Sequence, residues 1–324
     1  MIRLVLFTLS ALLWIPEVSS DAVLKVIKRD APTDWAWGYS VEGGHGPEHW
    51  SSVYVDCGGK MQSPIDINLN KVLYDPNLEL FDLKEYSITH NVVMELINKG
   101  GHTAEVMYSG KPLYITGGSL PDTYKLDQFH FHWGKVDKRG SEHSLNNHHY
   151  PMEMHIVHHQ DNLDNSSSAA SHPYGLAVLG YLFKVGAHNA KFDQLLNHFH
   201  LITSADSEDQ HMVIPTFPLM DLLPSGERTD YYRYYGSLTT PPCYETVIWS
   251  VATEPIIISE DQLNIFRGLY DEERHHLVDD FRPTQELNYR VVTTTKKMGD
   301  GASGLVVSSL LLISASLLTW LVRL

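Results

Sequence analysis

The residues that most directly announce chemistry are two histidines separated by one position, in Gln128-Phe129-His130-Phe131-His132-Trp133-Gly134. In an extended strand successive side chains alternate between faces. Gln128, His130 and His132 therefore share one face, and Phe129, Phe131 and Trp133 the other. The aromatic face suits a core, while two imidazoles project together from the opposite side. Imidazoles at i and i+2 suit a metal with short nitrogen bonds, and zinc is the usual occupant. The plainer reading is a half-buried strand with two solvated histidines, and the rest of the chain argues against it.

A third histidine arrives with its own support. Glu153-Met154-His155-Ile156-Val157 also alternates, placing Glu153, His155 and Val157 on one face. Two adjacent strands facing one cleft would bring His155 to His130 and His132. Three neutral nitrogens leave the fourth tetrahedral position of zinc open for water, the catalytic rather than the structural arrangement. Metal-bound histidines normally donate their second ring proton to a carboxylate or carbonyl. Gln128 and Glu153 are placed to be such acceptors.

With these motifs in view, the chain resembles the alpha-class carbonic anhydrases from about Trp35 to about Arg290. Besides the two histidine segments, the resemblance rests on Trp37-Gly38-Tyr39, Gly46-Pro47-Glu48-His49-Trp50 and Gln62-Ser63-Pro64-Ile65-Asp66-Ile67. It continues through Ser141-Glu142-His143, Gly175-Leu176-Ala177-Val178-Leu179-Gly180, Ser237-Leu238-Thr239-Thr240-Pro241-Pro242 and Phe281-Arg282-Pro283. The resemblance implies that His130, His132 and His155 are zinc ligands. In carbonic anhydrases zinc lowers the pKa of bound water from far above the physiological range to about 7, giving hydroxide at neutral pH. It further implies reversible hydration of carbon dioxide to bicarbonate and a proton by zinc-bound hydroxide, and binding of sulfonamide-type inhibitors. Thr239 matches the family's gatekeeper hydroxyl and Glu142 its carboxylate partner. A threonine whose proton is committed to a carboxylate can only accept, which aims an oxygen lone pair of the nucleophile at carbon dioxide.

Carbon dioxide has no net dipole, so its pocket should be apolar. Val157, Val178, Leu238, Val247 and Trp249 match the family's hydrophobic wall, with Thr240 beside them. The product proton must then leave. An acid of pKa about 7 loses its proton to bulk water at only about 10^3 per second, whereas the turnover known for this family is near 10^6 per second. A buffering group near the cleft is therefore required, and histidine suits it. His102 matches the family's shuttle, with Tyr39 supporting the proton path. Where the family has an Asn-Asn-Gly-His run, this chain reads Asn98-Lys99-Gly100-Gly101-His102, so one side-chain amide is missing, and Glu105 adds a carboxylate nearby. Of the 19 histidines, the pairs His148-His149, His158-His159 and His275-His276 read as surface or loop residues. His159 stands where the family commonly has an aromatic ring.

The ends speak of location. Residues 1–20 carry Arg3, an apolar run from Leu4 to Ile15 and Val18-Ser19-Ser20 before Asp21, the pattern of a secretory signal. Residues 299–324 begin with small residues, Gly299-Asp300-Gly301-Ala302-Ser303-Gly304, and end in an apolar tail. That pattern reads as a glycolipid-anchor signal whose tail is removed, with attachment at Asp300 or Gly301. The alternatives are a single-pass anchor, since about 20 apolar residues suffice to span, and plain secretion. The catalytic domain is expected to fill 21–298, on the extracellular face of the plasma membrane. The resemblance implies a disulfide between Cys57 and Cys243, in keeping with export. Asn165-Ser166-Ser167 is a glycosylation sequon in a polar stretch, Asp161 to His172, that reads as an exposed loop.

The elements that must position these residues are mostly strands. Short alternating stretches at Ser87–Ile97, Thr103–Met107 and Val247–Val251 read as strands, and Ala190–Phe199 and Ser259–Tyr270 as short helices. The family fold is a twisted, mostly antiparallel sheet of about ten strands with peripheral helices, a β-dominated α+β single domain. A net charge of −15 without a basic run argues against a nucleic-acid partner. No His-Glu-x-x-His helix, Gly-x-Ser-x-Gly elbow or phosphate-binding glycine loop is present. The alternative to an active enzyme is a catalytically silent carbonic-anhydrase-like module that binds a protein partner.

Overall fold

The computed structural model describes residues 37–40, 44–205, 211–224 and 229–297. The expected signal, the anchor segment and both attachment candidates, Asp300 and Gly301, lie outside the described residues. Strands come in chain order as β1 (Asp66–Ile67), β2 (Leu73–Tyr74), β3 (Phe81–Asp82), β4 (Val92–Asn98) and β5 (Ala104–Gly110). They continue as β6 (Tyr114–Gly117), β7 (Tyr124–Trp133), β8 (Ser144–Leu145), β9 (Met152–Gln160) and β10 (Leu176–Val185). The last five are β11 (Met212–Ile214), β12 (Tyr231–Gly236), β13 (Val247–Ala252), β14 (Ile256–Ile258) and β15 (Thr293–Thr294). The main sheet runs β11-β4-β5-β7-β9-β10-β13-β12-β15-β2, with β6, β3 and β14 at its margins. The described residues thus form one sheet-dominated domain with a large mixed sheet and few short helices, and its centre is the pair β7 and β9.

The core side of this pair holds the histidines in phase. Phe129, Phe131, Trp133, Met152, Met154 and Ile156 all enter one apolar cluster at 0% exposure. Each such side chain contributes about 1.5–3 kcal/mol by leaving water. A one-residue slip would turn that face outward and the imidazoles inward, so the register is strongly set. In it, β7 runs antiparallel to β9 with His130 opposite His155 and His132 opposite Glu153. The register shifts between Leu126 and Gln128, where Asp127 is the extra residue of a β-bulge. The bulge has a consequence for the site. Leu126 belongs to the apolar cluster, and the inserted residue re-aims Gln128 to the histidine face.

Neighbouring strands complete the frame. Strand β10 pairs antiparallel with β9 and parallel with β13. Gly180 stands opposite His155, and a Cβ there would lie 3.2 Å from Oε1 of Glu153. This glycine leaves room for the Glu153–His155 contact. A second cluster, including Val157, Val178, Tyr234, Val247 and Trp249, packs on the cleft side of the sheet. The helix Glu260–Arg267 is started by a Ser259–Gln262 capping box and buries Leu263 and Phe266. Phe266 packs against Phe131 and Trp133, bracing the core face of β7.

Some sequence expectations need correction. The strand expected from Ser87 begins at Val92, because Lys84–Ser87 forms a 3₁₀ helix and Asn91 turns the chain at φ 60°. The stretch Ala190–Phe199 is helical only over Asp193–Leu196, followed by a 3₁₀ turn at Phe199–Leu201. The polar stretch 161–172 holds a helix, Ser166–Ala169, capped by Asn165. His158 and His159 are not surface residues, being 0% and 2% exposed. Strand β9 continues through both, so alternation carries His158 onto the core face after Met154 and Ile156.

Candidate metal centre and its cleft

His130, His132 and His155 converge, with one ligand atom from each lying within 4.8 Å of the others. The remaining ring nitrogen of each is committed elsewhere. Nδ1 of His130 donates to Oε1 of Gln128 at 2.8 Å, and Nδ1 of His132 donates to the Asp280 carbonyl at 2.7 Å. Nε2 of His155 donates to Oε1 of Glu153 at 2.8 Å. Each of these acceptors lacks a proton to give, which settles the tautomers. Lone pairs are therefore left on Nε2 of His130, Nε2 of His132 and Nδ1 of His155. Burial lowers the pKa of His130, reinforced by His132 and His155, and burial likewise lowers that of His132. Neutral imidazole, the form that ligates metals, is thereby favoured.

The residues fit a zinc ion by a further criterion. Nε2 of His132 is buried and has no hydrogen-bond partner among the described residues, as is Oε2 of Glu142. Orphaned buried polar atoms cost about 1–3 kcal/mol each, and three nitrogen lone pairs aimed at one point are the donor set zinc prefers. Oε2 of Glu142 lies 3.5 Å from Nε2 of His132 and 3.9 Å from Nδ1 of His155. Oε1 of Glu142 accepts from the backbone N–H of Arg282 at 2.9 Å. With Oε2 unpartnered, the expected Thr239–Glu142 hydrogen bond is not made in this geometry, although Thr239 lines the cleft.

Behind the ligands lies a buried chain that sequence reasoning had left without a role. Glu153 also accepts from Nδ1 of His143 at 2.6 Å and from the His143 backbone N–H at 2.8 Å. Nε2 of His143 then accepts from the Tyr234 hydroxyl at 2.7 Å, and Ser63 lies 2.8 Å beyond Tyr234. Burial alone would raise the Glu153 pKa, but His143 and His155 hold it well below the usual carboxylate range. Glu153 thus stays charged, which raises the donor strength of His155. The motif Ser141-Glu142-His143 contained the signal for His143, whereas nothing near Tyr234 pointed to it. The Asp280 carbonyl was equally hidden, because a backbone acceptor leaves no mark on residue type.

The three histidines line a cleft of about 590 Å³. Val157, Val178, Leu238, Thr240 and Trp249 line it, joined by Leu176 and Tyr244. Val247 is not among the lining residues. It is 1% exposed within the cleft-side cluster, and Leu176, opposite it in register, takes the wall position. The disulfide Cys57–Cys243 is formed, and the Thr240 carbonyl accepts from the Cys243 N–H at 2.9 Å, tying the loop that carries Thr239. Asn165 is exposed at the rim. Its Oδ1 accepts from the Ser168 N–H, and Ser166 and Ser167 line the cleft.

His102 lines the same cleft on a turn closed by the Lys99 and His102 N–H groups. Its Nε2 donates to the Trp37 carbonyl at 2.9 Å, its ring lies 4.1 Å from that of Trp37, and Tyr39 is 6.3 Å away. The turn explains the departure at Gly100, since Gly100 and Gly101 adopt φ of 55° and 68°, conformations that suit glycine.

The comparisons with known proteins agree with this geometry. The model of the eukaryotic-type carbonic anhydrases matches residues 45–296, and the chain belongs to that family. It is 38% identical to carbonic anhydrase 7 of Homo sapiens over 264 residues, covering 79% of this chain and 96% of that protein. It is 35% identical to carbonic anhydrase 12 of Homo sapiens over 292 residues, covering 86% and 79% respectively. Carbonic anhydrase 1 of Mus musculus is 36% identical over 265 residues, covering 79% and 97%.

Proposed function

We propose that this protein is an active zinc carbonic anhydrase working outside the cell, interconverting carbon dioxide with bicarbonate and a proton. The observation that carries the reading is the set of three convergent lone pairs, each fixed by a hydrogen bond on the far side of its ring. His130, His132 and His155 would hold the zinc. As is known for carbonic anhydrases, zinc supplies a Lewis acid that makes water nucleophilic near neutral pH.

The chain's own residues do the rest. Gln128, Glu153 and the Asp280 carbonyl orient the rings. Val157, Val178, Leu238 and Trp249 present an apolar wall that receives uncharged carbon dioxide and excludes bulk water, with Thr240 at its edge. With a metal in place Thr239 would donate a hydrogen bond from its hydroxyl to Glu142, a bond not made in the geometry described above, so that its oxygen could only accept and would fix the direction of attack. His102 takes the released proton at Nδ1, the ring nitrogen left free by the bond to Trp37, while Tyr39 supports the path. Sulfonamide-type inhibitors, which the family binds, would occupy the same cleft.

Residues 1–20 direct export, 21–298 form the catalytic domain, and 299–324 direct attachment of a glycolipid at Asp300 or Gly301. Asn165 carries a glycan, which its exposed side-chain nitrogen permits because the cap uses only Oδ1. Zinc content and carbon dioxide hydration of the purified domain test the core of the reading. One zinc per chain with hydration activity is expected, and Ala at His130, His132 or His155 should remove both. A stoichiometric, folded protein without hydration activity would favour the silent binding module. On cells, phosphatidylinositol-specific phospholipase should release the protein. Retention, with the tail peptide found by mass spectrometry, would favour a single-pass anchor.

A further inference from the structure

The cleft wall carries a buried carboxylate that the roles above leave unused. Glu105 on β5 stands opposite His130 in register, so its side chain shares the face of the imidazoles. It lines the cleft, yet its side chain is only 4% exposed. Its Oε2 lies 2.7 Å from Nζ of Lys99, whose side chain is 57% exposed and lines the same cleft. The turn that carries His102 positions this lysine, the Lys99 N–H donating to the Thr103 carbonyl and the Lys99 carbonyl accepting from the His102 N–H, each at 2.9 Å.

A buried carboxylate on this wall would by itself repel any anion in the cleft. The two substrates differ in that respect, since carbon dioxide is neutral and bicarbonate is charged. We propose that Lys99 and Glu105 form a charge-compensating pair that sets how firmly the cleft holds anions, bicarbonate foremost. The inference rests on the carbonic anhydrase reading. Glu105 supplies a local negative wall, and Lys99 cancels it while leaving a cationic edge toward solvent. The pair is a specificity element and takes no part in bond making.

Anion binding to cobalt(II)-substituted protein tests this directly, because cobalt accepts nitrogen sites of this kind and its visible spectrum reports an added anion. Thiocyanate is the probe. Lys99→Gln should weaken its binding by about threefold to tenfold, the scale of one unit charge acting across a partly solvated cleft. Glu105→Gln should tighten binding by a similar factor, and the double variant should return to within about twofold of the parent. Both single effects should shrink as inert salt shortens the screening length. Single variants that shift binding in the same direction or not at all, or a double variant that does not return, would overturn the pair. A parent protein that takes up neither zinc nor cobalt and hydrates no carbon dioxide would instead overturn the enzyme reading and the pair with it.

Discussion

His158 carries a neutral ring into the core because both of its nitrogens are spoken for. Nδ1 donates to the Ala177 carbonyl at 3.0 Å, and Nε2 accepts from the Tyr86 hydroxyl at 2.6 Å. Burial drives its pKa down from 6.5 to about 3. The unfolded chain therefore binds a proton below about pH 6.5 that the folded chain refuses. The stability this histidine confers is complete above that pH and is lost as pH falls toward about 3, with a slope approaching about 1.4 kcal/mol per pH unit. Urea unfolding between pH 7 and pH 4.5 should show a shallower pH dependence for His158→Gln than for the parent. Equal slopes would remove His158 as the source. The contrast with the ligand triad shows what sequence can reveal at this scale. Three histidines on two alternating faces, with Gln128 and Glu153 two residues away, declare a metal through their spacing. His158 declares nothing, since its partners come from 72 and 19 positions away and an adjacent histidine makes the pair look like surface.

At the level of elements, strand phase was plainly legible and its interruptions were only faintly marked. Alternation in β7 and β9 placed the imidazoles and the aromatic rings on opposite faces, and the core clusters follow that division. The bulge at Asp127, which re-aims Gln128, left only a small trace, two polar residues in succession between Leu126 and Phe129, and a single break in alternation does not say on which side the phase resumes. The same holds for the turn before His102, where Gly101 has φ of 68° and no room for a side chain. A Cβ there would stand 2.8 Å from Cα of Asp271 and 2.9 Å from the Glu272 nitrogen, both backbone atoms. Gly101→Ala should therefore destabilise by about 1–3 kcal/mol and displace the turn that presents His102. Zinc content should persist, since the ligands lie on other strands. Turnover in weakly buffered solution should fall and recover on adding imidazole, because a free base of similar pKa replaces a misplaced one. Loss that imidazole cannot restore would mean that the turn supports the metal centre rather than the proton path.

Over the whole molecule, the disulfide and Arg282 tie distant parts of the chain to one site. Cys57 and Cys243 are 186 residues apart, so their bond closes most of the described chain into a loop. Nη2 of Arg282 donates to the Cys57 carbonyl at 2.9 Å, and Nη1 donates to Gln62 Oε1 and the Ser63 carbonyl. The backbone N–H of the same arginine holds Oε1 of Glu142. A path of direct hydrogen bonds thus runs from the disulfide to the carboxylate beside the imidazoles. Replacing both cysteines with alanine should cost roughly 5 kcal/mol from loop closure in the unfolded chain. The three histidines belong to β7 and β9, away from the severed link, so zinc binding by the folded variant should be nearly unchanged. Carbon dioxide hydration should fall further than zinc content, because the loop bearing Thr239 and the carboxylate of Glu142 both lose their tether. Urea denaturation, zinc analysis and hydration rate on one preparation separate these effects. An unfolding free energy equal to the parent's would refute the loop-closure argument, and activity falling only in step with zinc would refute the connection through Arg282.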